Sequence, residues 1–210
     1  MEGLFITLEG GEGSGKTTVS QQLIKRLEGE GVGAIYTREP GGIPIAEKVR
    51  SVILDPTHLE MDPRTEALLY AAARRQHLVE KVLPALQEGK VVICDRFIDS
   101  SVVYQGIARE IGAAEIWELN QFATEGLLPD FTFFFDIAPS EGLQRIAKDK
   151  SRHVDRLDLE GIQFHEKVYE GYLEQWEQYP RRIIRIDASQ SLEQVVDEVF
   201  QKIKERIGHE

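Results

Sequence analysis

Apolar positions in this chain follow two alternating periods, and these set the expected fold before any chemistry is considered. Short apolar runs at 4–8, 34–37, 90–94, 131–136 and 183–186 read as strands. The first, third and fourth are almost continuous, as parallel strands covered on both faces require. Helical periods lie between them. Residues 18–27 carry Val19, Leu23 and Ile24 on one stripe. Asp62-Pro63 supplies an N-cap and a proline at the first helical position, opening a long helix to about residue 87. Ser191 and Gln194 form a capping box ahead of Leu192, Val195, Val196, Val199, Phe200 and Ile203. Strands alternating with helices predict an α/β fold: a five-stranded parallel sheet, helices on both faces and right-handed crossovers. There is no internal repeat, low-complexity tract or Pro/Gly/Ser-rich linker, so one domain over 1–210 is expected.

Composition narrows this picture only slightly. Hydrophobic content of 41% and charged content of 29% suit a soluble globular protein. No apolar run is long enough to span a bilayer and no basic-then-apolar leader opens the chain, so no membrane role is expected. Cys94 is the only cysteine. It sits in an apolar strand-like run, which predicts a buried, unreactive thiol and a reducing, cytoplasmic setting. A net charge of −11 argues against a nucleic-acid-binding surface. A small anionic substrate then needs arginines concentrated locally.

The strongest chemical signal is Gly10-Gly11-Glu12-Gly13-Ser14-Gly15-Lys16-Thr17, between the first strand and the first helix. Its spacing is that of a phosphate-binding loop (P-loop), in which backbone N–H groups and the helix dipole converge on an anion. Lys16 is placed to reach the terminal phosphates of a nucleoside triphosphate, and the Thr17 hydroxyl to ligate the accompanying Mg²⁺, with Thr18 next in the helix. Further polar clusters follow the other strands, where the crevice of an open parallel sheet lies. Arg38-Glu39-Pro40-Gly41-Gly42 is either a structural turn or a turn that aims Arg38 at an anion. Asp95-Arg96 is either a local salt bridge or a Mg²⁺-orienting carboxylate beside a guanidinium that bridges phosphates. Tyr70 and Arg74 share a helix face, as core residues or as a ring and a hydrogen-bonding fork for a nucleobase. The segment 98–106, with Ser101, Tyr104 and Gln105, is a weak polar signal by itself. His58, His77, His153, His165 and His209 show no metal-ligand spacing and read as core or surface residues.

Taken in order, these motifs resemble the thymidylate kinase family of P-loop nucleoside monophosphate kinases. The resemblance is carried by 5–17, 37–42, 66–74, 95–101, 104–106 and 155–158, and the tail after about 160 is less distinctive. It implies transfer of the γ-phosphate of ATP to dTMP by a homodimer, with Mg²⁺. It implies that Tyr70 stacks on thymine (where the family usually has Phe), that Arg74 meets the base carbonyl edge, and that Ser101 and Gln105 face base and sugar. Tyr104 would lie against the deoxyribose. Arg38, Arg50 and Arg96 would hold the monophosphate, and Arg145 would stack over adenine near 187–189. Glu12 would order Mg²⁺ or water near the acceptor phosphate. Some family members carry a catalytic arginine in the P-loop, whereas Glu12-Gly13-Ser14 supply no cation here. The alternative arrangement is a basic lid at 148–158, which makes Arg152 or Arg156 the expected contact to the γ-phosphate. Another nucleoside monophosphate, a deoxynucleoside, or a non-catalytic ATP-binding module remain the competing readings.

Overall fold

The computed structural model describes residues 3–148 and 155–207. Strand β1 (Leu4–Glu9) runs into the glycine loop and helix α1 (Lys16–Gly29), followed by β2 (Ala34–Arg38) and α2 (Pro44–Leu54). Next come α3 (Pro63–His77), a π-helical turn (Leu78–Val82), α4 (Leu83–Gln87) and β3 (Val91–Asp95). The chain continues through α5 (Ile98–Ser101), a second π-helical segment (Val102–Ala108), α6 (Ala113–Thr124), β4 (Phe131–Asp136) and α7 (Pro139–Lys148). It closes with a short 3-10 turn (Leu157–Leu159), α8 (Ile162–Gln178), β5 (Ile183–Asp187) and α9 (Leu192–Ile207).

All five strands are parallel, in the order β2-β3-β1-β4-β5, so β1 is central. Its neighbours leave in opposite directions along the sheet. The carboxyl end of β1 therefore faces the crevice where the strand order switches, and the glycine loop sits there. The continuous apolar runs are explained by burial on both faces. Ile6, Leu8, Val91, Ile93, Phe131, Phe133 and Phe135 join the core beneath α1 and α9. Phe5, Val92 and Cys94 join the core on the other side, with Leu78, Phe97, Val102 and Ile116. The lone cysteine is buried there, as expected.

The start signals act as read. Asp62 Oδ1 accepts from the backbone N–H groups of Arg64 (2.9 Å) and Thr65 (3.0 Å). Ser191 and Gln194 cap one another at 3.2 and 3.4 Å. The long helix differs from expectation in one respect: it widens into a π-helical turn just before α4, whose first turn holds Pro84. Proline has no N–H to donate and crowds the preceding turn, so the ladder is interrupted where the proline enters.

Candidate active site

The crevice holds a cavity of about 580 Å³ at the carboxyl edge of the sheet. It is lined by residues 12–18 of the glycine loop and α1, by Tyr36, Arg38 and Asp95 at strand ends, and by Arg50, Tyr70 and Arg74 from α2 and α3. Arg96, Ser100, Ser101, Tyr104 and Gln105 complete one wall and Arg145 another.

The loop is shaped by glycine where no other residue fits easily. Gly13 has φ +70°, and a Cβ there would sit 2.1 Å from the Gly142 carbonyl of α7. A side chain at this position is excluded by both conformation and space. Lys16 Nζ donates to the carbonyls of Gly10 and Gly11 and to Ser14 Oγ, each at 2.9 Å. Burial, and then the neighbouring Arg96 charge, bring its ammonium down to about 8. Thr17 Oγ1 donates to Asp95 Oδ2 at 2.8 Å, while Asp95 Oδ1 is buried with no hydrogen-bond partner among the described residues.

Opposite the loop, side chains rather than backbone make the site. Arg96 follows β3 in a left-handed conformation (φ 68°), uncommon for a side-chain-bearing residue and typical of functional sites. Its N–H is held by the Leu8 carbonyl at 2.9 Å. Buried Glu9 accepts from the N–H groups of Phe97 (2.7 Å) and Ser100 (3.2 Å) and from Tyr172 Oη (2.8 Å), which fixes the start of α5. Burial, with Asp99 nearby, pushes the Glu9 carboxyl up to about 7. The Arg96 guanidinium reaches Glu12 Oε1 at 2.7 Å and lies 4.9 Å from the centre of the Tyr104 ring. Tyr104 Oη donates to the same Glu12 oxygen at 3.0 Å. Glu12 thus points across the crevice to Arg96 and Tyr104.

Arg74 is 2% exposed and held on three sides. Nε donates to Glu39 Oε2 at 2.6 Å, and NH1 donates to Ser101 Oγ at 3.1 Å and to Asn120 Oδ1. The second Glu39 oxygen meets His77 Nδ1 at 2.8 Å, and His77 Nε2 meets Thr37 Oγ1 at 2.6 Å. Arg38 is paired with Glu47 at 3.0 Å, and Arg50 NH1 donates to the Pro40 carbonyl at 2.9 Å. Arg145 donates to the Ala188 carbonyl at 3.0 Å, joining α7 to the loop after β5. The two segments expected around a purine are therefore adjacent.

A match to the thymidylate kinase family model spans residues 8–199. Curated relatives include the thymidylate kinase of Oceanobacillus iheyensis, 59% identical over 97% of this chain and 90% of that protein. Another is that of Halalkalibacterium halodurans, 58% identical over 99% of each. The crystal structure of thymidylate kinase from Ehrlichia chaffeensis superposes with a TM-score of 0.79 at 32% identity, covering 97% of this chain and 100% of that one. The chain belongs to the thymidylate kinase family. It is accordingly an ATP-dependent nucleoside monophosphate kinase with a P-loop α/β fold.

Within this family frame, one expected residue stands elsewhere. Arg156 does not line the cavity. Its backbone N–H and Nε donate to the Leu54 and Ile53 carbonyls (3.1 and 2.8 Å), and NH2 pairs with buried Glu66. At 4% exposure it anchors the chain onto α2 and α3, because a buried guanidinium needs a carboxylate partner and finds Glu66 there. In this conformation it does not face the loop that would carry the γ-phosphate. Arg152, the other expected lid arginine, and the central lid positions 149–154 lie outside the described residues. Sequence reasoning also missed Tyr36 and Ser100 in the cavity wall. It missed the carboxylates Glu9, Glu39 and Glu66 as supports, since their partners stand 91, 35 and 39 residues away.

The residues at the loop fit a divalent cation. An unpartnered buried carboxylate oxygen, Asp95 Oδ1, beside the Thr17 hydroxyl supplies the hard oxygen donors that Mg²⁺ takes. A second ligand-type trio among the described residues, Glu39, His77 and Cys94, is buried and does not fit one. Both Glu39 oxygens and both His77 nitrogens are engaged with Arg74, each other and Thr37, and the guanidinium repels a cation. No helix among the described residues is long and apolar enough to cross a membrane.

Proposed function

We propose that this chain transfers the γ-phosphoryl group of ATP to dTMP, giving ADP and dTDP, as one kinase domain with residues 148–158 acting as a lid. The observation that carries this reading is the single cavity joining Lys16 and Thr17 to Tyr70, Arg74 and Gln105, with Arg96 between. Phosphoryl transfer is chiefly positioning and charge stabilisation, so two nucleotide sites meeting at a guanidinium are what the reaction requires.

Loop N–H groups at the α1 N-terminus bind the β- and γ-phosphates, and Lys16 turns from the loop carbonyls to the phosphate oxygens. Thr17 and Asp95 would hold Mg²⁺, the latter in part through water. When bound, the ion neutralises charge on the β- and γ-oxygens. Arg145 covers adenine against the loop containing Ala188. Arg38 and Arg50 hold the acceptor phosphate and Arg96 spans acceptor and donor, keeping the attacking oxygen in line. Tyr70 stacks on thymine, Arg74 and Ser101 meet its polar edge with Gln105, and Tyr104 lies against the sugar. Beyond Lys16 the P-loop offers no arginine, since Gly13 has no room for a side chain, and Arg156 outside it is committed to Glu66. Arg152 is then the lid residue that meets the transferred group.

Ile45 and Val52 of α2, Leu68 of α3 and Phe122 of α6 are exposed, and α3 packs against both other helices. Exposed apolar side chains on packed neighbouring helices support a homodimer. A free, buried Cys94 is compatible with the cytoplasm. Steady-state assays with Mg-ATP and a panel of acceptors test the reaction: kcat/KM should be highest for dTMP. Preference for a purine monophosphate or for unphosphorylated deoxythymidine would contradict it.

A further inference from the structure

Gln105 lies on the second π-helical segment, in the cavity wall, one helical turn beyond Ser101. Its amide nitrogen is already engaged: Nε2 donates to Glu66 Oε1 at 2.8 Å. Glu66, in the first turn of α3, is 1% exposed. Its other oxygen accepts from Arg156, and Arg109 NH2 stands 3.6 Å away. These two guanidinium groups compensate the buried carboxylate.

This arrangement gives the Gln105 amide a single orientation. A carboxylate has no hydrogen to donate, so turning the amide over would set Oε1 against carboxylate oxygens in a buried site. Among the described residues, Gln105 Oε1 receives no hydrogen bond, and it is not a sealed-off orphan, so it opens onto the cavity as an acceptor. Arg74 is the complement. Its Nε and NH1 are held by Glu39, Ser101 and Asn120, leaving NH2 as a donor towards the same cavity.

The wall therefore presents a donor at Arg74 beside an acceptor at Gln105. A thymine or uracil edge carries the O4 acceptor next to the N3–H donor and matches both. A cytosine edge carries an N4–H₂ donor next to the N3 acceptor and mismatches both. We propose that Glu66 is a positioning residue for acceptor selection. By holding the Gln105 amide in one orientation, it makes the cavity accept an imide-edged pyrimidine and reject the cytosine edge. This rests on the base pocket assigned above to Tyr70, Arg74 and Gln105.

The test compares kcat/KM for dTMP, dUMP and dCMP in the wild-type enzyme, Glu66→Gln and Gln105→Ala, with Tm measured for each. Freed from a strict acceptor, Gln105 can present its NH₂ to the cavity in Glu66→Gln. The dTMP-to-dCMP ratio should then fall by about tenfold or more, mainly through KM. The dTMP-to-dUMP ratio should stay within about twofold of wild type, because the two bases share the imide edge. A purely structural role lowers Tm and all three activities together and leaves both ratios at wild-type values; that result would overturn the proposal. If Glu66→Gln does not fold, Glu66→Asp retains a carboxylate charge for Arg156 and Arg109 while drawing it back by one methylene and breaking the contact with Gln105, and the same ratio decides. Gln105→Ala separates the two claims. An unchanged KM for dTMP there removes the base pocket itself, whereas a raised KM with an unchanged Glu66→Gln ratio removes only the role of Glu66.

Discussion

The two halves of the crevice are built by different means. On the donor side, eight consecutive residues do most of the work through their backbone: three glycines with positive φ (10, 13 and 15), a helix N-terminus, and one lysine held by its own loop. On the proposed acceptor side, the cavity wall is made by long side chains from β2, α2, α3 and the segment after β3. Three parts of this wall are oriented by buried carboxylates from elsewhere in the chain. Glu39 holds Arg74, Glu66 holds Gln105, and Glu9 holds the turn that presents Arg96. A phosphate chain looks much the same on every nucleoside triphosphate, so a backbone cradle is sufficient. A particular base must be told from others, which requires side chains with fixed hydrogen-bond polarity and partners that prevent them from turning.

Three experiments sharpen this contrast, from the largest effect to the smallest. The donor half is expected to need one side chain from outside the loop. Arg152→Ala should lower kcat by about 10³-fold with little change in KM for dTMP, by analogy with arginines that meet the transferred phosphoryl. Near-normal turnover would mean that the loop and Arg96 are sufficient. The second experiment concerns Lys16. Because burial and Arg96 lower its pKa to about 8, it is protonated below that value in the ligand-free enzyme and loses its charge above it. Phosphate binding favours the charged form. The Kd for ATP should therefore rise above pH 8 by up to about tenfold per unit, with proton uptake measurable by calorimetry in two buffers. A flat profile would show that backbone N–H groups alone carry the affinity. Third, Phe122, 87% exposed on α6, lies on the helix layer behind the acceptor half. On the proposed homodimer, Phe122→Glu should shift sedimentation from dimer to monomer, leave ATP binding unchanged and raise KM for dTMP by about two- to fivefold. Wild-type sedimentation would place the subunit contact elsewhere.

The same contrast explains what could be read from the sequence. The strands were legible to within a residue or so because both sheet faces are buried and apolar runs mark them directly. The P-loop was legible because its chemistry is contiguous. Arg74 and Gln105 were visible only as a helix pair and a weak polar segment, and needed the family resemblance to acquire roles. Their carboxylate supports were missed altogether, because a buried ion pair between α3 and the turn after β2 leaves no spacing in the chain. Arg156 shows the cost of reading charge as exposure. A basic stretch suggested a free lid arginine, yet one of its cations is folded into the protein by Glu66. The π-helical turn before Pro84 was not read from the sequence, where the apolar period runs on unbroken to about residue 87.

The central claim is that the phosphate cradle of the glycine loop and the base pocket around Arg74 are constructed independently, and crossed calorimetry tests it directly. Mg-ATP and dTMP are each titrated into the wild-type protein, Gly13→Ala and Glu39→Gln. A Cβ at Gly13 collides with the Gly142 carbonyl, so Gly13→Ala should lose ATP binding by about 10²-fold or more while dTMP binding persists. Glu39→Gln leaves the buried Arg74 charge uncompensated, so it should lose dTMP binding by a similar factor while ATP binding persists. If either substitution weakens both ligands equally in a protein that remains folded, the two halves are one construction and the account is wrong.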